Sequence, residues 1–429
     1  MKLTFVSNYI NHHQIPLSNE LYRALGEEYT FVQTEPMAEE RRAMGWGIAD
    51  ETLPYLRCYY EEPEACRQLI LTSDIVIFGG VEDERYIEER LASGRPVIRY
   101  SERLYREGQW KAVSPRGLIR KYKDHTRYRD KEVYLLCSGA YVASDFHIVR
   151  AYPGKMLKWG YFTETKQYDP ETLFGAKGSV VEDGPDGAKG SVAGGAIDGA
   201  KVSTSRVPEI LFAGRFLPLK HPEYAVELAA HLRKQGLLFH LTMVGGGELE
   251  EELHRMVSDR GLDDCVTFTG YRKPQEVREF MERADIFLMT SNYLEGWGAV
   301  INEAMNSGCA VVADAKIGAV PFLLRHRQSG MVYRDGDMTE FLAYGEQLVR
   351  DRELCRRLGQ NAYDTIVRLW NPESAAKALL DFAEGILKHE WRVRDEGPCS
   401  PALVISPGKG YSYTRKTDEQ AKQISEHNK

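Results

Sequence analysis

The side chains of this sequence that could do chemistry come directly after short apolar runs. Gly214 and Arg215 follow one such run, and Lys220 lies five residues later, just before a predicted helix. Two cations beside a helix start can bind a diphosphate, because unpaired backbone N–H groups and side-chain charge act together there. Two solvated surface cations would have the same spacing, so the pattern by itself leaves both interpretations open.

A glycine run, Gly245-Gly246-Gly247, follows another apolar run and opens the next predicted helix. Glycine permits a positive φ and lets a ligand approach the backbone closely. Many turns between a strand and a helix need glycine for geometry alone. Ligand contact at this turn is therefore one of two open interpretations.

Two glutamates flank a second glycine-rich stretch. Glu295 precedes Gly296-Trp297-Gly298, and Glu303 lies further on, in a predicted helix. The glycines favour a loop at Glu295, so the two carboxylates can reach one ligand from different sides. A carboxylate accepts two hydroxyl hydrogen bonds, which suits a vicinal diol of ribose or of another sugar.

The apolar pattern supplies the elements that must position these residues. Short β-type runs alternate with helical stretches in both halves of the chain, which predicts parallel strands covered by helices on both faces. The predicted fold class is therefore α/β, with two doubly wound domains around a cleft. Ligands bind outside the carboxyl ends of the strands in such sheets. The predicted strands are 3–6, 29–32, 74–78, 96–100 and 133–136, then 209–213, 239–244, 266–269, 285–289 and 309–313.

Composition divides the chain into segments. A stretch rich in Gly, Ala and Ser, in which Gly-Ala-Lys recurs with a period of twelve, is predicted to be a flexible insertion. The last segment loses its apolar period and is predicted to be a polar, disordered tail. The predicted organisation is an N-terminal domain over 1–174, the insertion over 175–206, a C-terminal domain over 207–372, a closing helix over 373–391 and the tail over 392–429.

Bulk properties exclude several classes of protein. The 429 residues carry 56 Lys and Arg against 63 Asp and Glu, and the net charge of −7 excludes a surface that is cationic throughout for nucleic acid. The seven scattered cysteines form no C-x-x-C pair, which is typical of reduced thiols in a cytosol. Since no run of about 18 apolar residues occurs, the sequence predicts a cytoplasmic protein, with peripheral contact at the inner face of the membrane left open.

The C-terminal half resembles the retaining nucleotide-sugar glycosyltransferases of family 4, which have the GT-B architecture. Four stretches between about residues 209 and 370 match in the order of that family: AGRFLPLKHPEYAVEL (213–228), MVGGGELEEEL (243–253), VTFTGYRKPQEVREFMERADIFLMTS (266–291) and EGWGAVINEAMNSGCAVVA (295–313). There are two departures. His221 stands where the family usually has Gly, and Gly318 to Phe322 replace a frequent Gly-Gly-x-Pro-Glu stretch. Both departures bear on donor preference more than on fold.

The resemblance implies roles for these residues. Arg215 and Lys220 match the pair that grips the donor diphosphate, and Glu303 matches the acid that holds the ribose hydroxyls. Glu295 and the backbone after it match the loop that positions the transferred sugar. The implied catalytic residues are Arg215, Lys220 and Glu295, and the implied donor-binding residues are Gly214, Gly245, Gly246, Tyr271, Arg272, Gly296, Trp297, Gly298 and Glu303. Catalysis without a metal or another cofactor is implied as well.

The N-terminal half has less specific candidates for the acceptor side. His12 and His13 lie in a loop after the first predicted strand, and Glu102 and Arg103 follow a later one. Either histidine could instead be a plain surface residue. Glu102 and Arg103 could equally form a local ion pair with each other.

A basic segment, residues 103–131, stands out within this acidic chain. It holds ten Lys and Arg against three acidic residues, and Trp110, Tyr122 and Tyr128 lie among them. Such a segment could rest on anionic lipid or bind a diphosphate-linked acceptor. A solvated basic face or a disordered loop is the competing interpretation.

The sequence as a whole predicts an enzyme that moves a sugar from a nucleotide diphosphate donor to an acceptor hydroxyl of a glycan or a lipid-linked acceptor. Polysaccharide or cell-envelope synthesis is the expected context, and a nucleic-acid partner is not expected. A sugar-nucleotide epimerase or isomerase, and a non-catalytic subunit that binds a nucleotide sugar or a partner enzyme, remain as alternatives. A nicotinamide dehydrogenase is disfavoured because no G-x-G-x-x-G follows the first strand.

Overall fold

The computed structural model describes residues 1–37, 39, 53–80, 85–177, 206–390 and 394–415. The described residues form two parallel sheets, one in each half of the chain. The strands are Leu3–Ser7 (β1), Tyr29–Gln33 (β2), Leu56–Cys58 (β3), Ile75–Gly79 (β4), Val97–Ser101 (β5), Val133–Ser138 (β6), Met156–Trp159 (β7), Glu209–Ala213 (β8), His240–Val244 (β9), Val266–Gly270 (β10), Ile286–Met289 (β11), Ala310–Asp314 (β12) and Met331–Tyr333 (β13).

Helices separate the strands, as the alternation predicts. Side chains of Asp337, Asp351 and Asn371 cap helix starts by accepting hydrogen bonds from backbone N–H groups. The α-helices of the described residues are Ile15–Leu25 (α1), Pro63–Thr72 (α2), Arg85–Ala92 (α3), Pro115–Asp124 (α4), Val142–Ile148 (α5), Pro170–Ala176 (α6), Glu223–Lys234 (α7), Glu250–Asp259 (α8), Pro274–Arg283 (α9), Val300–Asn306 (α10), Val320–Leu323 (α11), Met338–Arg350 (α12), Arg352–Arg368 (α13), Pro372–Lys388 (α14) and Gly410–Thr414 (α15).

The strand orders are those of doubly wound sheets. The first sheet runs β3-β2-β1-β4-β5-β6-β7, and the second runs β10-β9-β8-β11-β12-β13. Strands β1 and β4 are buried at every position, because helices cover both faces of a parallel sheet. The predicted pair of doubly wound α/β domains is confirmed.

Three strands have no counterpart among the predicted ones, namely β3, β7 and β13. Each is only three or four residues long and lies at an edge of its sheet. So short a run contains too few residues to show a period of two. Their pairing partners come from other parts of the chain, which local patterning does not reveal.

The chain connects the two domains twice. After β7 it crosses to the second sheet along α10, where the Asn306 side chain accepts a hydrogen bond from Lys166 N (2.8 Å) and donates one to Lys166 O (3.0 Å). Helix α14 then returns to the first sheet, and its Phe382 ring packs edge-on against Tyr134 of β6, with 5.3 Å between ring centroids. These two connections fasten the two domains to each other.

The prediction of a disordered tail over 392–429 is wrong for residues 394–415. Pro401 forms an antiparallel bridge with Leu157 of β7, and the backbone N–H of Lys158 donates to Ser400 O at 2.7 Å. Cys399 and Ser400 are buried. The segment packs as irregular backbone, so it lacks the apolar period by which a helix or strand is recognised. Residues 416–429, and residues 178–205 of the predicted insertion, lie outside the described residues.

The domains touch backbone to backbone at three glycines: Gly139 after β6, Gly296 after β11 and Gly318 after β12. A Cβ at Gly318 would overlap the carbonyl oxygen of Gly296, and a Cβ at Gly139 would lie 3.3 Å from that same oxygen. The N–H of Ala140 donates to Gly318 O at 2.9 Å across the interface. Gly296 and Gly318 both lie in the C-terminal domain, so a side chain at Gly318 would clash within that domain, whereas one at Gly139 would press across the interface.

Replacing Gly318 with alanine should lower the thermal midpoint of unfolding, because the added methyl group overlaps Gly296 O. Overpacking of this kind costs about 1 to 3 kcal/mol. Gly408→Ala is the matched control, since a Cβ at Gly408 meets no atom within 4 Å. Calorimetry of both variants tests the contact, and equal midpoints would contradict it.

Candidate functional site

Lys220 and Glu295 meet at the carboxyl edge of the second sheet. Lys220 ends a short 3-10 helix, Pro218–Lys220, whose position is held by a hydrogen bond from Thr290 Oγ1 to Lys220 O (2.7 Å). Its Nζ donates to Glu295 Oε2, and the two side chains are only 19% and 15% exposed. Two of the three predicted catalytic residues are therefore in direct contact.

His221, one of the two departures from the family pattern, lies in the left-handed region, with φ 46° and ψ 54°. This conformation costs most residues about 1 to 2 kcal/mol and costs glycine little, so glycine suits the position on backbone grounds. The imidazole offsets part of that cost: its Nδ1 lies 2.7 Å from Glu223 Oε1, and its Nε2 lies 3.3 Å from Asn292 Nδ2. The bond to Glu223 raises the pKa of His221.

The predicted donor-binding glycines join the ends of three neighbouring strands. Gly214 N donates to Val244 O at 3.0 Å, and Gly245 N donates to Gly270 O at 3.0 Å. Gly245 has φ +134°, and a Cβ there would overlap Gly214 O. Strand packing alone is thus a sufficient reason for glycine at position 245.

Tyr271 and Arg272 are exposed next to these glycine turns. The Tyr271 hydroxyl donates to Gly246 O at 2.9 Å, and a Cβ at Gly246 would lie 2.8 Å from the Tyr271 ring. The ring therefore covers the glycine turn on one face. Its other face is open to solvent, and the residue is 68% exposed. Arg215 is exposed as well and has no hydrogen-bond or ion-pair partner among the described residues.

Glu303 lies in the first turns of α10 and is half-buried. Its carboxylate makes no hydrogen bond or ion pair to another described residue. Burial raises the pKa of Glu303 to about 7, while the charge of Arg278 opposes this rise and that of Glu164 adds to it. The side chain is thus an acceptor with unfilled hydrogen-bonding capacity inside the protein.

The Trp297 side chain belongs to the core. It is 1% exposed, packs near Phe322 and Trp370, and occupies the space that a Cβ of Gly160 would need. Only the backbone of this residue is available to a donor, which is the part that the family resemblance implies. Phe322, in the second departure from the family pattern, fills this aromatic cluster.

Asn302, which the sequence analysis did not single out, ties Trp297 to the N-terminal domain. Its Oδ1 accepts the indole N–H at 2.8 Å, and its Nδ2 donates to Tyr161 O at 3.1 Å. The residue is 1% exposed. The sequence offered one signal for this residue, which is its place in the predicted helix directly after the glycine-rich stretch.

Across the cleft, Glu102 faces the loop 295–298, called the donor loop here after the role that the family resemblance implies. Arg106 forms an ion pair with Glu102, and the Tyr161 hydroxyl donates to Glu102 Oε1 at 2.8 Å. A Cβ at Gly296 would lie 2.8 Å from Glu102 Oε2 and 3.2 Å from an Arg106 nitrogen. Arg106 and Tyr161 are therefore site residues that the sequence analysis missed. The i,i+4 spacing of Arg106 from Glu102 was a usable signal, whereas Tyr161 had none.

The structure contradicts an acceptor role for Arg103. Its side chain is 4% exposed and pairs with Asp145, with Nε–Oδ2 and Nη2–Oδ1 both at 3.2 Å. Tyr105 N and Gln109 Nε2 donate to the same carboxylate. The hypothesis of a Glu102–Arg103 ion pair is also wrong, because each residue pairs elsewhere. Arg103 anchors the loop that carries Glu102.

His12 and His13 lie half-buried next to the same tyrosine. Their ring centroids are 3.8 Å apart, and the His13 ring meets Tyr161 edge-on at 5.7 Å. Burial lowers the pKa of both histidines, and that of His13 falls to about 3. Both rings are therefore neutral at pH 7. Within the described ranges, no three His, Cys, Asp or Glu side chains form a set that could hold a metal ion.

Part of the chain is similar in sequence to known glycosyltransferases. Residues 197–365 match the family model described as Glycosyl transferases group 1. The amylovoran biosynthesis glycosyltransferase AmsK of Erwinia amylovora is 34% identical over 133 residues, which are 30% of this chain and 32% of AmsK. The lipopolysaccharide core biosynthesis glycosyltransferase LpsE of Rhizobium meliloti is 31% identical over 173 residues, 40% of this chain and 48% of LpsE. The chain spans about a third to a half of the length of these curated relatives.

Solved structures match over most of the chain. Anabaena Alr3699/HepE in complex with UDP has a TM-score of 0.62 at 14% identity and covers 90% of this chain and 100% of its own. The lipopolysaccharide outer core galactosyltransferase WaaB in its apo form has a TM-score of 0.57 at 13% identity, over 91% of this chain and 100% of its own. These likenesses concern the fold, and they confirm the predicted GT-B arrangement of the two domains.

Asn302→Leu should lower the free energy of unfolding by about 2 to 6 kcal/mol. The substitution keeps the branched shape of the side chain but leaves the Trp297 indole N–H and Tyr161 O unpaired in the interior, at about 1 to 3 kcal/mol for each group. Urea denaturation measures the change. In a Trp297→Phe background the loss should be smaller, since no indole N–H remains to be stranded, and strictly additive effects in this double-mutant cycle would contradict the bridge.

Proposed function

We propose that this chain transfers a sugar from a nucleotide diphosphate donor to an acceptor hydroxyl, because residues 197–365 match the family model described as Glycosyl transferases group 1. The proposal rests on two ion pairs that face each other across the cleft. Lys220 pairs with Glu295 on one domain, and Glu102 pairs with Arg106 on the other. A donor held by the first pair would present its sugar to an acceptor held by the second.

On the donor side, we assign the diphosphate to Lys220 and Arg215. The Lys220 ammonium has three donors, so it can hold a phosphate oxygen while it stays bonded to Glu295. Arg215 has a free guanidinium, which suits bidentate binding of a phosphate. Glu303, whose carboxylate has no protein partner, would accept the two ribose hydroxyls, and Tyr271 with Arg272 would line the base.

The reaction breaks the bond between the anomeric carbon and the diphosphate, which leaves with the electron pair. The acceptor oxygen forms the new bond and loses its proton. Negative charge grows on the diphosphate, so preorganised cations at Arg215 and Lys220 lower the barrier directly. We propose that these residues act without a metal ion and that the anomeric configuration is retained, as the family resemblance implies.

On the acceptor side, we assign Glu102, Tyr161 and the neutral histidines His12 and His13. Glu102 is half-buried and lies against Gly296 of the donor loop, so a sugar hydroxyl bonded to it would be close to the donor. Neutral imidazoles and a phenol offer both donors and acceptors, which suits a polyhydroxylated acceptor. The names of the relatives, which refer to amylovoran and lipopolysaccharide core, support an envelope glycan or its lipid-linked precursor.

Arg215→Ala and Lys220→Ala should each lower turnover by about a hundredfold to a thousandfold, the usual effect of losing one preorganised charge-stabilising group. The donor is first identified by thermal shift with UDP-, GDP-, ADP- and dTDP-sugars, since a ligand of the native state raises the unfolding midpoint. Release of nucleoside diphosphate is then measured with donor and acceptor extract. Lys234→Ala, an exposed lysine on the far end of α7, is the control.

Three results would contradict the proposed transferase activity or its diphosphate site. Conversion of the donor without an acceptor would indicate an epimerase or isomerase. A thermal shift without turnover would indicate a non-catalytic binding subunit. Wild-type kinetics in folded Arg215→Ala and Lys220→Ala variants would remove the diphosphate site.

Donor affinity should rise with pH up to about 7 and level off above it. Burial raises the pKa of Glu303 to about 7, and only the ionised carboxylate accepts both ribose hydroxyls. The ionised fraction grows about tenfold between pH 6 and pH 8, so the donor dissociation constant should fall by up to that factor. Calorimetric titration of the wild type and Glu303→Gln tests this, because the amide should bind weakly at every pH.

His221 requires its own control, since the pKa of this histidine is raised and it adjoins Lys220. His221→Asn removes the titrating group, and asparagine tolerates the left-handed backbone there. The pH dependence should persist in His221→Asn. If it disappeared there and remained in Glu303→Gln, the effect would belong to His221.

A further inference from the structure

Helix α4 (Pro115–Asp124) has its apolar side on the outside. Leu118, Ile119 and Tyr122 are 44%, 59% and 59% exposed, and the helix has no buried residue. At about 100° per residue, these three side chains project within an arc of about 100°. The opposite side faces the protein with Gly117, whose Cβ position lies 3.5 Å from Lys111 O, and with Asp124.

Exposed apolar side chains are concentrated around helix α4. Four of the twelve exposed large hydrophobic side chains among the described residues fall between 110 and 122, and Trp110, at 70% exposure, is one of them. Single exposed hydrophobic residues are ordinary, whereas a cluster rimmed by charge marks an interaction site. A tryptophan at such a rim is typical of a bilayer interface.

The rim is cationic. Arg116 and Lys123 lie side by side along one edge of the apolar arc, and Arg120 lies further round the helix on the same side. Arg116 and Lys123 have no carboxylate partner among the described residues, and Arg120 has Asp124 at 3.5 Å. The surrounding segment 103–131 carries a net charge of +7 in a chain of −7. Among macromolecular partners, an anionic lipid surface fits both the charge and the flat apolar face.

The surface, residues 110–123, is held firmly in the N-terminal domain. At one end Gln109 Nε2 donates to Ser144 Oγ (2.9 Å) and to Asp145 Oδ1 (2.8 Å). At the other end His125 Nδ1 lies 3.0 Å from the Tyr152 hydroxyl. The segment begins directly after the loop of Glu102 and Arg106, so it lies on the same domain as the assigned acceptor side. Hydrogen bonds at both ends therefore hold this segment so that its apolar face points outward.

We propose that Trp110 and helix α4 dock on the surface of an anionic bilayer, with the helix in the plane of the interface. Leu118, Ile119 and Tyr122 enter the acyl boundary, and Arg116, Arg120 and Lys123 contact the lipid phosphates. A lipid-borne acceptor could then reach the cleft without leaving its membrane. Among the described residues no helix is long and apolar enough to span the bilayer.

Co-sedimentation of the full chain with vesicles tests the proposal. Vesicles of equal parts phosphatidylglycerol and phosphatidylcholine should bind the wild type at least tenfold better than pure phosphatidylcholine, and about 0.5 M salt should weaken that binding. The double variant Leu118→Asp with Ile119→Asp should lose more than tenfold, as should Arg116→Glu with Lys123→Glu. Leu238→Asp, which changes a 77% exposed leucine of the C-terminal domain, is the matched control and should bind like the wild type.

The proposal is overturned if the wild type does not prefer anionic vesicles, or if Leu238→Asp loses as much binding as the helix variants. Binding that appears only after a polyprenyl diphosphate is added would assign the surface to that headgroup instead. Thermal midpoints of the variants should equal that of the wild type, since all the changed side chains are exposed. The measurement needs neither donor nor acceptor, so its failure would leave the proposed transferase activity untouched.

Discussion

The whole cleft depends on how closely two backbones approach where Gly139, Gly296 and Gly318 meet. No side chain separates the domains there, so the carbonyl of Gly296 lies directly against the neighbouring backbone. That closeness brings Glu102 and Arg106 of the first domain against the donor loop of the second. The interior is close-packed, so an added methyl group at Gly318 would displace the loop at Gly296, and one at Gly139 would press the first domain against that loop.

The arrangement of charges in the cleft follows from this close contact between the two domains. Lys220 and Glu295 pair on one wall, Glu102 and Arg106 pair on the other, and each pair is partly shielded from water. Arg215 and Glu303 are left without protein partners. Glu303 is half-buried, and a half-buried carboxyl group without a protein partner is costly unless a ligand supplies the missing interaction. We assign the exposed guanidinium of Arg215 to the diphosphate of a nucleotide sugar, and the carboxyl group of Glu303 to the ribose next to that diphosphate.

The two departures from the family pattern have physical explanations in the fold. His221 adopts a left-handed backbone that favours glycine, and its imidazole bonds to Glu223 and Asn292 in compensation. Phe322 packs into an aromatic cluster with Trp297 and Trp370, beneath the donor loop. Both changes alter how the loops are supported, and neither changes the course of the strands.

The sequence alone determined the α/β class, the two doubly wound domains and the positions of Lys220, Glu295 and Glu303 after their strands, because these follow from local periodicity and from strand ends. Only the tertiary structure decided which charges pair: Arg103 bonds to Asp145, 42 residues away, and Arg106 takes its place beside Glu102. It also decided that the Trp297 ring is core, that residues 399–402 pair with β7 and that the apolar face of α4 points outward. A pattern along the chain records spacing, whereas pairing and burial depend on segments that meet only after folding.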